Sequence, residues 1–189
     1  MHSASTTLND DAVAAVARRI DRPIVLVGLM GVGKSTVGRK LAALLATDFV
    51  DADEEIERAA AMSVSEIFDC FGESYFRDGE RRVIARLIEE EHGVIATGGG
   101  AFVCTETRQL VLAKAIAVWI DCDVATLVER TARRGTRPLL KQGDPAATLA
   151  RLHAERAPFY REAPICVSSV QGPQRETARE IIKAIDRWL

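Results

Sequence analysis

Short apolar runs alternate along the chain with longer stretches of helical periodicity. Residues 24–27, 49–50, 94–96, 116–120 and 165–167 are compact runs rich in Val and Ile, of the length and composition of buried strands. Residues 34–45, 75–91 and 124–133 repeat their apolar positions at helical spacing. Strands separated by helices join in parallel, and right-handed crossovers place the helices on both faces. The pattern therefore predicts an α/β three-layer sandwich around a five-stranded parallel sheet. Val13, Val16, Ala17 and Ile20 predict an amphipathic helix near the start, and Ile181, Ile182, Ile185 and Leu189 another at the end.

Ligands of such sheets bind beyond the carboxyl ends of the strands, so the residues following each run matter most. The first run leads into Gly28-Leu29-Met30-Gly31-Val32-Gly33-Lys34-Ser35, the G-x-x-x-x-G-K-[ST] pattern in its strand-loop-helix setting. Gly31 and Gly33 let backbone N–H groups form a concave nest for phosphate at a helix N-terminus. Lys34 is placed to reach the β- and γ-phosphates of a nucleotide, and Ser35 to ligate Mg²⁺. Asn9 is the only asparagine, so the N-K-x-D guanine-reading motif is absent and ATP is the expected nucleotide. Asp51 and Asp53 follow the second run; in an extended chain they face the same way, while a cap on a helix starting at Glu54 is the equally weighted alternative. Two segments exceed plain connections: 54–79, and 133–144, which is basic and carries Gly135, Pro138 and Gly143.

Composition narrows the partners. A length of 189 residues with 48% hydrophobic content suits one domain, and a formal net charge of −2 provides no field for nucleic acid. Four dispersed cysteines and three dispersed histidines lack disulfide or metal-site spacing, and the first 23 residues hold no membrane-spanning or signal-like run. The expectation is a cytoplasmic monomer with reduced thiols that binds neither membrane nor nucleic acid.

Thr97-Gly98-Gly99-Gly100 after the third run, Phe76-Arg77-x-x-Glu80 and Arg137-Pro138-Leu139-Leu140 complete a series that, with the phosphate loop and the D-x-D pair, resembles shikimate kinase. The resemblance runs from about Ile24 to the C-terminus and identifies 1–23 as an extension, 54–79 as a substrate-binding insertion and 133–144 as a lid. It implies that Gly31, Val32, Gly33, Lys34, Ser35 and Thr36 hold the nucleotide, with Ser35 and Asp51 toward Mg²⁺. It also implies that Arg77 and Arg156 hold the shikimate carboxylate, that Asp53 takes the accepting hydroxyl, and that Gly98, Gly99 and Gly100 touch shikimate through their backbone. Arg137 matches the lid arginine, Arg130 a residue that stacks on adenine, and Gln171 and Pro173 fall in the adenine loop. Lys34, Asp53 and Arg137 are the implied catalytic residues. One helical turn separates Glu80 from Arg77, so Glu80 is placed to orient it. The implied reaction is transfer of the γ-phosphoryl of MgATP to the 3-hydroxyl of shikimate, in the pathway to chorismate and aromatic amino acids. A gluconate-type kinase of the same class and a non-catalytic nucleotide-binding module are the alternatives.

Overall fold

The computed structural model describes residues 9–132, 144–169 and 173–189. Five strands, β1 (Ile24–Val27), β2 (Phe49–Asp51), β3 (Val94–Ala96), β4 (Ile116–Asp121) and β5 (Ile165–Ser168), form one sheet in the order β2-β3-β1-β4-β5. Every pairing is parallel, and Leu26 of β1 lies between Ala96 of β3 and Val118 of β4. The expected three-layer sandwich is thus the observed one. β2, β4 and β5 each run one residue beyond their apolar patterns, because the terminal Asp51, Asp121 and Ser168 still pair with the neighbouring strand. β1 is buried at all four positions, the mark of a strand covered on both faces.

Helices α1 (Asp10–Ala17), α2 (Lys34–Leu45) and the last helix, Gln174–Trp188, pack together as one outer layer. The last helix buries Thr177, Ala178, Ile181, Ile182 and Ile185 along a single stripe, while Leu189, just past its end, is exposed, contrary to the sequence pattern. Ile20 likewise lies beyond α1 yet still packs on the core. Helices α3 (Ala52–Ala60), α4 (Val64–Glu89), α5 (Thr105–Lys114), α6 (Val124–Ala132) and α7 (Pro145–Tyr160) follow in chain order, which makes Gln174–Trp188 helix α8. A short 3-10 turn at Ala101–Val103 touches α4, α5 and α7, and α4 packs on α5.

The 54–79 segment resolves into α3 and the first half of α4. Ser63 caps α4, with its hydroxyl accepting from Glu66 N and the Glu66 carboxylate accepting from Ser63 N at 2.7 Å. At Gly72 the backbone leaves the helix with φ 80°, so α4 bends there. Ile67 before the bend and Phe76 just after it join Ile56 in a small separate core, and further along Ile84, Leu87 and Ile88 enter the main core. That two-core anchoring fixes Arg77, one residue after Phe76, over the carboxyl edge of the sheet.

Candidate active site

The loop after β1 adopts the conformation its glycines permit. Gly31 and Gly33 have φ of 88° and 97°, in the left-handed region that costs other residues steric strain. Gly33 is the N-cap of α2 and supplies no side-chain cap, which leaves the first-turn N–H groups facing the loop's hollow. Val32 lies in the loop just before this cap, and Lys34, Ser35 and Thr36 stand on the first turn. Lys34 is buried, and its ammonium donates to the carbonyls of Gly28 at 2.7 Å and Leu29 at 3.1 Å. Ser35 Oγ donates to Asp51 Oδ2 at 2.6 Å.

Asp51 and Asp53 do not share an extended strand. The helix begins at Ala52, earlier than Glu54, and Asp51 rather than Asp53 is its cap, accepting from Asp53 N at 3.1 Å. Both alternatives for the pair are therefore replaced: Asp51 serves Ser35 and the cap with its two oxygens, and Asp53 projects from the first turn of α3 toward Gly98. Asp53 Oδ1 is buried without a hydrogen-bond partner. Burial, with the Asp51 charge second, holds the Asp53 carboxyl above the usual carboxylate range, although Lys34 pulls the other way.

None of Gly98, Gly99 and Gly100 has positive φ, so their lack of a side chain is a matter of space. A Cβ on Gly98 would stand 2.7 Å from Glu80 Oε1 and 2.9 Å from Asp53 Oδ1, and one on Gly99 3.2 Å from the Met30 backbone nitrogen. A Cβ on Gly100 would run into the Arg77 guanidinium. The triple glycine is the floor on which the phosphate loop, both carboxylates and Arg77 converge. Arg77 Nη1 donates to Glu80 Oε2 at 2.6 Å, as the one-turn spacing predicts. Burial works against the Arg77 charge, but Glu80 and Glu73 outweigh it and raise its pKa. Glu80 is buried with Oε1 unpartnered, and burial pushes its carboxyl up against the pull of Arg77. From α7, Arg156 Nη1 donates to the Gly99 carbonyl at 3.1 Å.

The nucleotide-side expectations divide. Arg130 lies beside the phosphate loop, donating to Val32 O at 3.2 Å and Ser169 Oγ at 3.0 Å. Pro173 is the N-cap of α8. Arg137, Gln171 and all of 133–143 lie outside the described residues. Gln174 is a residue the sequence reading passed over: its Oε1 is buried without a partner, and a Cβ on Gly33 would stand 2.9 Å from it. Its place at the start of α8, next to the segment that the resemblance matches to an adenine loop, is the sequence cue.

Ser35 Oγ and Asp51 Oδ2, adjacent hard oxygen ligands at the mouth of the phosphate loop, suit Mg²⁺, which takes few protein ligands and completes its shell with phosphate and water. Among the described residues no group of three or more His, Cys, Asp and Glu forms a dedicated metal cage. The four cysteines are free thiols. Among the described residues no helix is long and apolar enough to cross a membrane.

The sequence model of the shikimate kinase family matches residues 30–186. The chain belongs to that family. A shikimate kinase of Novosphingobium aromaticivorans is 56% identical over 193 aligned positions that cover the whole of both chains, the first 20 residues included. Among solved structures, the shikimate kinase from Acinetobacter baumannii in complex with shikimate superposes with a TM-score of 0.85 at 37% identity, covering 95% of this chain and 98% of that one. A gluconokinase from Sinorhizobium meliloti reaches a TM-score of 0.62 at 18% identity, over 89% and 94% of the two chains, a likeness of fold alone.

Proposed function

We propose that the chain transfers the γ-phosphoryl group of ATP to the 3-hydroxyl of shikimate, giving shikimate 3-phosphate and ADP on the route to chorismate. The observation that carries this reading is the convergence at the triple glycine: the phosphate loop meets Gly99, and a buried carboxylate and two guanidinium groups meet the same short segment. A phosphate donor and a small carboxylic acid are thereby brought edge to edge.

In this reading the nest of Gly31, Val32, Gly33, Lys34, Ser35 and Thr36 holds the triphosphate, with the Lys34 ammonium neutralising the β- and γ-phosphates. Ser35 and Asp51 would hold Mg²⁺, which would screen charge on the phosphate oxygens. Arg77 and Arg156 grip the acceptor carboxylate with planar forks, and Glu80 holds Arg77 in register. Asp53 Oδ1, a buried acceptor lacking a donor, receives the hydrogen of the attacking hydroxyl and takes its proton as the phosphoryl group arrives. The transition state of phosphoryl transfer is loose, so alignment and charge do most of the work. Arg130 and Pro173 are assigned to the base side, and Arg137 and Gln171 keep the nucleotide roles implied by their sequence matches. The chain acts as a single-domain monomer in the cytoplasm.

The test is ADP release by the purified chain with Mg²⁺ and ATP, measured with shikimate and with gluconate. Turnover with shikimate alone is expected; turnover with gluconate and none with shikimate would overturn the assignment.

A further inference from the structure

The Gly99 carbonyl oxygen is held twice. Arg156 Nη1 donates to it at 3.1 Å, and the Tyr160 hydroxyl, one helical turn further along α7, donates to it as well. Tyr160 is fully buried, its ring packed 6.0 Å from that of Trp119 on β4. Burial keeps its phenol protonated, with the pKa pushed up to about 12, so the hydroxyl remains a donor at any working pH. No role described above uses it.

A trans peptide is planar, and its carbonyl and N–H point in opposite directions. The chain contains no cis peptide bond among its described residues. Anchoring the Gly99 carbonyl toward α7 therefore turns the Gly100 N–H away from α7, and the Gly100 Cα lies against the Arg77 guanidinium. Among the described residues that N–H has no hydrogen-bond acceptor. Gly100 is buried, so this donor is one that a partner must satisfy.

We propose that Tyr160 is a positioning residue for the acceptor: its hydroxyl fixes the plane of the peptide joining Gly99 and Gly100, aims the Gly100 N–H at an oxygen of the bound hydroxy acid, and seats Arg156 on the same carbonyl. This rests on the functional reading above. Among the described residues the phenol hydroxyl donates to the Gly99 carbonyl, on the acceptor side, so its effect falls on acceptor recognition and spares the nucleotide.

Tyr160→Phe tests it, since Phe keeps the ring against Trp119 and Arg156 still satisfies the carbonyl. The KM for shikimate is expected to rise about five- to tenfold, the worth of one hydrogen bond, with the KM for ATP changed less than about twofold. Trp119→Phe disturbs the same packing and leaves the hydroxyl; it should keep the shikimate KM, and a rise equal to that of Tyr160→Phe would overturn the proposal in favour of packing. A measurement without any variant is the Gly100 amide resonance of isotopically labelled wild-type protein, which should move when shikimate is added and stay unmoved with gluconate. A stationary Gly100 amide, or an unchanged shikimate KM in Tyr160→Phe while the wild type turns shikimate over, overturns the inference alone. No turnover of shikimate by the wild type overturns the functional reading and this inference with it.

Discussion

Replacing Asp53 with asparagine should stabilise the protein while disabling it. Asp53 Oδ1 and Glu80 Oε1 are both buried, both lack a hydrogen-bond partner, and lie 2.9 Å and 2.7 Å from the same point above Gly98. A buried acceptor left unsatisfied costs about 1–3 kcal/mol, and more when charged. An asparagine amide removes one of the two facing charges and supplies an N–H donor toward Glu80, at the expense of the attraction between Asp53 and Lys34. A net gain of about 1–2 kcal/mol corresponds to a Tm higher by about 2–8 °C in a domain of this size. The sign of the pH dependence follows from the raised carboxyl. As pH climbs through about 4, Asp53 ionises in the unfolded chain before it does in the folded one, so the native state loses relative stability until its own pKa is passed. The Tm advantage of Asp53→Asn should therefore be smallest near pH 4 and grow toward pH 8. In the same protein kcat should fall about 10²- to 10⁴-fold, the usual worth of a positioned general base. Thermal melts of both proteins across that pH range, with kcat at pH 7.5, make the assay. A variant that melts lower than wild type, or whose advantage ignores pH, would refute the argument that Asp53 is held ionised at a cost to folding; unchanged kcat would remove it from the chemistry.

Three further outcomes follow from the geometry. Arg77→Lys loses the guanidinium fork that pairs with Glu80, so the KM for shikimate should rise about 10- to 100-fold with little change for ATP, as separate substrate titrations would reveal. Gly100→Ala inserts a methyl group into the space of the Arg77 guanidinium at a position without positive φ; shikimate turnover should fall while the Tm stays within a few degrees, and a large loss of Tm with intact turnover would contradict the steric account. Ser63→Ala breaks the capping box that starts α4 and should cost about 1 kcal/mol in denaturant unfolding, with the KM for ATP unchanged.

The apolar pattern along the chain determined much of this protein. Fully buried strands such as Ile24–Val27 read as continuous aliphatic runs because both faces are covered, and the single stripe of Ile181, Ile182 and Ile185 reads as a helix because only one side is. Gly31 and Gly33 were legible because their backbone angles demand glycine, and Arg77 with Glu80 because one helical turn is a local distance. Contacts between distant segments were not legible. Whether Asp51 or Asp53 caps α3 depends on two residues of helix start, which pairing of Asp51 with Ala96 across the sheet decides. Gln174 meets Gly33, and Tyr160 meets Gly99, only once α8 and α7 are laid on the sheet. Gly98, Gly99 and Gly100 gave no local sign of why they are glycine, since none has positive φ; what crowds a side chain there is the charged groups of α3 and α4 at Gly98 and Gly100 and the phosphate-loop backbone at Gly99, which only the tertiary fold brings to them.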